Sequence, residues 1–211
     1  MTGSSHGAGP TSSRPLGLFG GRFDPVHRAH IAIAQAVADK LNLDEVRWIV
    51  TGAPAHKPAI ASADDRLTMT KLALQELGDP RMIVDDREVI AAKNGGSNYT
   101  ADTVLGLQRQ YPSRKLIWIL GEDQLQNFLS WSRWQRLIRQ VDLAVCARPS
   151  AEGSKVSKML TESGGKIHWV HLQPDTVSST EVRNGIQENA LKPGLVPVSV
   201  ANYIASRPLY R

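Results

Sequence analysis

The stretch LGLFGGRFDPVHRAH, residues 16–30, carries the clearest structural signal in the chain. A short apolar run ends in the pair Gly20-Gly21, and an apolar-periodic segment from Ile31 to Leu41 follows, which predicts a helix. The order strand, glycine turn, helix collects backbone N–H groups and the positive end of a helix dipole at one point. Because glycine has no side chain, a phosphate could approach the main chain there. The stretch therefore predicts an anion site.

Two histidines open the predicted helix. His27 and His30 are three residues apart, so on a helix their side chains point to the same side, over its first turn. Asp24-Pro25 is a suitable helix opening, because Asp can cap a helix and Pro suits its first position. Taken singly, a glycine pair marks a tight turn, and two histidines form a surface pair or half of a metal site. Their combination in one string favours a functional site.

Length and composition predict one domain. A chain of 211 residues can bury a core of its own. Residues 1–15 are mainly Gly, Ser, Thr and Pro, so we expect a disordered tail followed by a single domain over residues 16–211. The tail lacks the apolar stretch of a secretory signal, and no apolar run is long enough for a membrane helix. Cys146 is the only cysteine, which predicts no internal disulfide and a reducing, cytoplasmic setting.

The charge balance favours a small anionic ligand. The formal net charge is +5, but the basic residues are scattered, so mono- and dinucleotides fit better than nucleic acid. No cluster of His, Cys and carboxylate residues suggests a structural metal. The sequence leaves open a monomer or a small homo-oligomer.

Strand-like and helix-like segments alternate along the rest of the chain. Strands are predicted over residues 45–50, 81–84, 115–121, 142–147 and 166–172. Helices are predicted over 64–77, 101–111, 124–129, 133–140, 155–163, 179–189 and 199–206, with a loop over 87–98. This alternation indicates an α/β fold with a doubly wound parallel sheet and helices on both faces. Ligands on such sheets bind beyond the carboxyl ends of the strands, where strand order reverses.

A second motif, VSSTEVR, occupies residues 177–183. Ser178 and Glu181 are spaced as a capping box, which would leave early helix amides and the hydroxyls of Ser179 and Thr180 free. Arg183 lies one turn further. Amides, hydroxyls and a guanidinium match a triphosphate. Taken alone, however, the stretch is better explained as an ordinary capped helix with an exposed arginine.

Together the two motifs resemble those of the nicotinate-nucleotide adenylyltransferases, within the nucleotidyltransferase superfamily. The first is similar to GG[ST]FDPxHxGH and the second to [IV]SSTx[IV]R, and the resemblance covers roughly residues 16–209. Arg22 departs from the pattern by adding a cation where the family has a small hydroxyl residue. Ala29 replaces the glycine between the histidines and narrows the space for adenosine. The resemblance implies a Rossmann-like nucleotidyltransferase fold and adenylyl transfer from ATP to nicotinate mononucleotide.

The resemblance also implies residue roles on the ATP side. His27 and His30 would be catalytic, acting on the α-phosphate. The loop AHKP, residues 55–58, is similar to the family's PPH[KR] loop, so its basic residues would face phosphates. The residues expected to bind ATP are Gly20, Gly21, Phe23, Lys57, Ser179, Thr180 and Arg183. A Mg²⁺ ion is expected to accompany the ATP.

The acceptor side follows from the chemistry of nicotinate. Its carboxylate needs N–H donors, which the predicted helix start at Asn98-Tyr99-Thr100 supplies. Its pyridine ring needs an aromatic face, and the family string GxDxL followed by W places Trp131 there, whereas Trp118 and Trp134 suit the core. The residues expected to bind nicotinate mononucleotide are His56, Tyr99, Thr100, Asp123, Trp131 and Arg148.

Several alternatives remain open at this stage. The acceptor could be nicotinamide mononucleotide or phosphopantetheine, although phosphopantetheine has no ring to stack on Trp131. From a different class, the chain could be a non-catalytic nucleotide-binding or nucleic-acid-binding domain. The intact histidines disfavour the first of these, and the scattered charge disfavours the second.

Overall fold

The computed structural model describes residues 13–54, 59–96, 99–172 and 177–211. Most of the predicted tail, together with His56, Lys57 and Asn98, lies outside the described residues. Just before the predicted domain start, the backbone carbonyls of Arg14 and Pro15 accept hydrogen bonds from Arg114, at 3.0 and 3.3 Å. The chain is thus attached to the domain from residue 14 onward.

The described strands form one six-stranded, wholly parallel sheet. They are β1 (Leu16–Gly21), β2 (Val46–Val50), β3 (Met82–Asp85), β4 (Leu116–Gly121), β5 (Asp142–Ala147) and β6 (Ile167–His171). The spatial order is β3-β2-β1-β4-β5-β6, so strand order reverses between β1 and β4. The predicted doubly wound α/β fold is confirmed, and the glycine turn lies at the point of reversal.

Helices cover both faces of this sheet. They are α1 (Arg28–Lys40), α2 (Ala63–Leu77), α3 (Arg87–Lys93), α4 (Thr100–Gln110), α5 (Glu122–Gln126), α6 (Trp134–Gln140), α7 (Lys155–Glu162), α8 (Ser179–Gln187) and α9 (Val198–Ala205), with 3₁₀ turns at Phe128–Ser130 and Pro149–Ala151. Strand side chains alternate between two cores. Phe19 joins the core under α1, α2 and α9, whereas Leu16 and Leu18 join the core under α4 and α6. In the described ranges, no helix has both the length and the apolar character needed to cross a membrane.

The predicted loop over residues 87–98 is wrong, because residues 87–93 form α3. This helix is held by tertiary contacts rather than by its own pattern. Val89 is buried, and the Glu88 carboxylate accepts a 2.7 Å hydrogen bond from the Thr103 hydroxyl on α4. A Cβ on Gly52 would lie only 2.2 Å from the Glu88 carbonyl oxygen, so α3 packs directly on the chain that follows β2.

Two helices begin one residue away from their predicted starts. The residue before α6 is Arg133, in the left-handed conformation with φ 58°, and it pairs with Asp102. Thr100 is the first residue of α4, and Tyr99 occupies the capping position. Differences of one residue at a helix end are ordinary.

The sequence predicts that Asp24 caps α1, but in the structure His27 occupies the capping position. Instead, the Asp24 carboxylate is 2% exposed and accepts three hydrogen bonds. The backbone N–H groups of Ile60 and Ala61 donate at 2.7 and 3.1 Å, and the Tyr210 hydroxyl donates at 2.7 Å. Burial is the largest cause of the raised pKa of Tyr210, and the hydrogen bond to Asp24 is the next largest. The hydroxyl therefore stays protonated and acts as a donor. One carboxylate thereby joins three distant segments.

We expect Tyr210→Phe to lower the free energy of unfolding by about 1.5–3 kcal/mol, because it removes a donor from a buried charge. Tyr203→Phe is the matched control, since the Tyr203 hydroxyl also donates to a carboxylate, that of Asp65, but at a wetter site. Urea unfolding followed by circular dichroism measures both. Equal losses in the two variants would contradict a special role for the buried bond.

Candidate active site

Two neighbouring cavities open at the carboxyl ends of the strands. The first, of about 650 Å³, is bordered by the ends of β1, β4 and β5 and by the starts of α1 and α8. The second, of about 560 Å³, is bordered by the ends of β1 and β2, by α3 and by the start of α4. Their shared wall consists of Gly20, Gly21, Arg22, Asp123 and Gln124. Because two helix N-termini meet at the first cavity, its field favours an anion.

Core side chains pack so closely against the turn at Gly20-Gly21 that neither position has room for a side chain. A Cβ on Gly20 would lie 2.5 Å from the indole of Trp118, and a Cβ on Gly21 would lie 2.9 Å from the ring of Phe23. Neither glycine has a positive φ. The main chain of the turn lies along the shared wall of the two cavities. Both glycines were predicted to bind ATP. Phe23, also predicted there, is buried with φ 49° and borders the first cavity.

His27 and His30 lie side by side on the first cavity, with ring centroids 3.7 Å apart. The backbone N–H of His27 donates a hydrogen bond to Nδ1 of His30 at 3.2 Å. In a neutral imidazole, the proton of His30 then belongs on Nε2. Burial lowers the pKa of His30 well below its ordinary value, and the His27 ring lowers it further. His30 is therefore a neutral hydrogen-bond donor at pH 7.

The motif at residues 177–183 reaches the same cavity. The Ser178 hydroxyl caps α8 by accepting from the backbone N–H of Glu181 at 3.1 Å, as predicted. The next two hydroxyls are not free, which corrects the prediction. Ser179 Oγ donates to the Pro25 carbonyl at 3.0 Å, and Thr180 Oγ1 accepts from Arg183 at 3.1 Å. Thr180 keeps its own hydroxyl proton as a donor.

Arg183 is buried rather than exposed. Its guanidinium donates to the Asp24 carbonyl at 2.7 Å and to Thr180, behind the wall formed by residues 178–180. Arg183 does not itself border the first cavity as described. Arg183 thus contacts the wall of the cavity through Thr180 and is bonded to the loop between β1 and α1 (residues 22–27) through the Asp24 carbonyl.

A second buried arginine, Arg66, fixes the loop between β1 and α1 from inside the protein. It is 1% exposed and donates to three backbone carbonyls, those of Ala61, Arg22 and Gly52, at 3.3, 2.7 and 3.2 Å. Burial lowers the pKa of Arg66, and the nearby Asp24 carboxylate opposes that shift. Arginine remains charged in proteins even so. Two loops, the one between β1 and α1 and the one between β2 and α2, are therefore tied to one cation. Sequence reasoning missed this role because Arg66 looks like an ordinary helical residue.

The second cavity has an aromatic wall. Trp131 stacks on Phe128 with centroids 4.9 Å apart and meets Trp118 edge-on at 6.3 Å. Tyr99 and Thr100 border the same cavity at the start of α4. Glu88 also borders it, and burial raises the pKa of this carboxyl. Glu88 was missed because α3 was missed.

The remaining predicted site residues are distributed between the cavities. Asp123 is on the shared wall. Arg148 borders the first cavity, beside the histidines, and is therefore separated from Trp131 and Thr100, with which it was grouped. Its backbone N–H donates to Glu122 at 3.3 Å. The predicted contributions of His56 and Lys57 lie outside the described residues.

Comparisons with known proteins agree with this architecture. The profile of the cytidylyltransferase-like family matches residues 18–185. A protein of Bordetella avium named "Probable nicotinate-nucleotide adenylyltransferase" is 38% identical over 200 residues, which cover 93% of this chain and 98% of that protein. A Neisseria meningitidis protein of the same name is 37% identical over 206 residues, with the same coverage.

A solved structure shows the same fold at low sequence identity. The nicotinic acid mononucleotide adenylyltransferase of Plasmodium falciparum, complexed with NaAD, matches with a TM-score of 0.77 and 17% identity, over 93% of this chain and 97% of that one. Identity this low bears on the fold alone, whereas the bacterial relatives match along almost their whole length. The chain belongs to the nicotinate-nucleotide adenylyltransferases of the cytidylyltransferase-like family.

Proposed function

We propose that this protein transfers the adenylyl group of ATP to nicotinate mononucleotide, forming deamido-NAD and pyrophosphate in NAD biosynthesis. The observation that carries the proposal is the pair of cavities with a common glycine-lined wall. One cavity has imidazoles and two helix N-termini, which suit a triphosphate, and the other has an aromatic wall, which suits a pyridine ring.

The reaction needs no general base. The phosphate of the mononucleotide is already an anion at neutral pH, and one of its oxygens forms a bond to the α-phosphorus of ATP. The bond from that phosphorus to the bridging oxygen breaks, and its electron pair leaves with pyrophosphate. The barrier comes from bringing two anions together, so alignment and charge stabilisation provide the catalysis.

The histidine pair acts on the α-phosphate in this proposal. Because Nδ1 of His30 is occupied by the His27 backbone, Nε2–H is the donor available to a phosphate oxygen. A neutral imidazole keeps that proton at pH 7, and the donor strengthens its hydrogen bond as charge develops on the oxygen.

The β- and γ-phosphates are assigned to the start of α8. Its N-terminus and the hydroxyl proton of Thr180 can donate to phosphate oxygens, and Arg183 supports Thr180 from behind. Lys57 is assigned here by resemblance. The donors along this wall are imidazoles, hydroxyls and amides, which suit phosphate oxygens, so we assign Mg²⁺ to the phosphates and water of bound ATP, where it adds positive charge.

The acceptor is assigned to the second cavity. Its pyridine ring would stack on Trp131, its carboxylate would accept from the N–H groups at the start of α4, and Asp123 would accept from ribose hydroxyls. The shared position of Asp123 fits a ribose close to the transferred phosphate. Arg148, which borders the histidine cavity, fits the ATP side better. The proposed setting is the cytoplasm.

A side-by-side acceptor assay tests the proposal directly. With ATP and Mg²⁺, we expect pyrophosphate release to be fastest with nicotinate mononucleotide, slower with nicotinamide mononucleotide and absent with phosphopantetheine, because only a ring can stack on Trp131 and only the carboxylate suits the α4 amides. Faster turnover of phosphopantetheine would overturn the proposal. Binding of RNA or DNA in a filter assay, without turnover of any acceptor, would favour the non-catalytic alternative.

We expect His30→Ala to lower kcat by about 10²–10³-fold, because it removes a preorganised donor to the α-phosphate. The protein should remain folded, since His30 is half-buried at a cavity edge. His171→Ala is the control, because His171 is an exposed histidine paired with Glu152. Steady-state pyrophosphate release measures kcat, and near-normal turnover by His30→Ala would remove the histidine from the mechanism.

We expect Trp131→Ala to weaken binding of nicotinate mononucleotide by about tenfold, the size of one aromatic stacking contact, while ATP affinity changes little. Trp131→Phe should recover most of the loss, because it keeps an aromatic face beside Phe128. Calorimetric titration of each variant separates the two ligands. An unchanged mononucleotide affinity in Trp131→Ala would move the acceptor elsewhere.

A further inference from the structure

Arg22 stands where the two cavities meet. It borders both of them, in the turn between Gly21 and Phe23. Among the described residues, it is the only positively charged side chain that does so; the other residues on that wall are two glycines, Asp123 and Gln124. This is also the position at which the chain replaces a small hydroxyl residue of the similar motif by a cation.

In the proposed reaction, the two phosphates that react with each other meet at this wall. The acceptor phosphate comes from the second cavity and the α-phosphate lies in the first, so the new P–O bond must form between them. Two phosphates at bonding distance repel strongly unless a cation or a set of donors lies beside them.

Among the described residues, the other side chains on or directly behind that wall direct little positive charge toward it. His30 is neutral at pH 7, for the reasons given above. Asp123 adds a negative charge. The guanidinium of Arg183 is turned toward Asp24 and Thr180, and that of Arg66 toward three backbone carbonyls. The guanidinium of Arg22 therefore adds a positive charge at the wall where the two phosphates would meet.

The local arrangement also favours an anion beside Arg22. Its backbone carbonyl is held by Arg66 at 2.7 Å, which fixes this part of the loop. The charges of Arg22 and Arg66 repel each other, as the lowering of the Arg66 pKa by Arg22 indicates. A bound phosphate would relieve that repulsion, because it attracts both guanidinium groups.

We propose that Arg22 is a further catalytic residue, whose guanidinium contacts oxygens of both the acceptor phosphate and the α-phosphate and holds the two anions in line. A planar guanidinium has several donors in a fixed fork, so it can bridge two phosphates where a hydroxyl cannot. This inference rests on the proposed adenylyl transfer.

Arg22→Ser, which restores a small hydroxyl residue, tests the inference. We expect kcat to fall by about 10- to 100-fold, with a smaller change in the KM for ATP, because the contact is strongest when the two phosphates meet. Arg22→Lys should be intermediate, since it keeps the charge but loses the fork. Arg109→Ser is the matched control: it removes the same charge from an exposed position at the end of α4, and it should behave like the wild type.

A binding measurement separates this inference from the proposed function. Deamido-NAD, whose two phosphates span the shared wall, should bind Arg22→Ser at least tenfold more weakly than the wild type, whereas adenosine should bind both equally. If the wild type releases no pyrophosphate with nicotinate mononucleotide, the proposed function fails, yet the deamido-NAD titration still reports on Arg22. Wild-type kcat and wild-type deamido-NAD affinity in Arg22→Ser would overturn the inference.

Discussion

The buried carboxylate of Asp24 is the interaction on which the site depends. A charge that is 2% exposed must be fully hydrogen-bonded, and here the donors come from two loop amides and from Tyr210. The carbonyl of the same residue accepts from Arg183. Because these partners lie far apart in sequence, satisfying the hydrogen bonds of one residue brings distant parts of the domain to the loop between β1 and α1. The arrangement of the site thus follows from the need to supply hydrogen-bond partners to one buried charge.

Charge is distributed within this framework in a particular way. The cations closest to the loop, Arg66 and Arg183, are buried and point at backbone carbonyls and a hydroxyl, so they fix geometry as well as raise the local potential. The imidazole of His30 is kept neutral by burial and by the neighbouring His27 ring. Positive potential therefore comes from helix N-termini and guanidinium groups, while the histidines supply directed donors. The charge of His30 therefore changes little when the pH moves around neutrality.

Much of this could be predicted from the sequence, for identifiable physical reasons. Strands buried on both faces appear as continuous apolar runs, as in β4 and β5, so the parallel sheet and the edge on which its cavities open could be predicted. The two motifs at residues 16–30 and 177–183 could be recognised because each is a local string. Their meeting at one cavity followed from the topology of a parallel sheet.

The parts that could not be predicted depend on contacts between distant segments. The short helix α3 is stabilised by Thr103 and by close packing on Gly52, neither of which its own residues reveal. Asp24 has a suitable local role as a cap, yet its partners are in other loops. The helical position of Arg183 predicts an exposed side chain, whereas in the structure its guanidinium donates to the Asp24 carbonyl and is buried. Side-chain orientation of this kind is decided by tertiary structure.

The separation of 186 positions between Asp24 and Tyr210 has a consequence for biosynthesis. As the nascent chain leaves the ribosome, the glycine turn and the histidines emerge early, but the hydroxyl that completes the carboxylate's shell emerges only after almost all the rest of the domain. Until then, the loop carries a charge that cannot be buried without cost, which favours its staying hydrated and open. The pocket should therefore be the last part of the molecule to acquire its native order during translation.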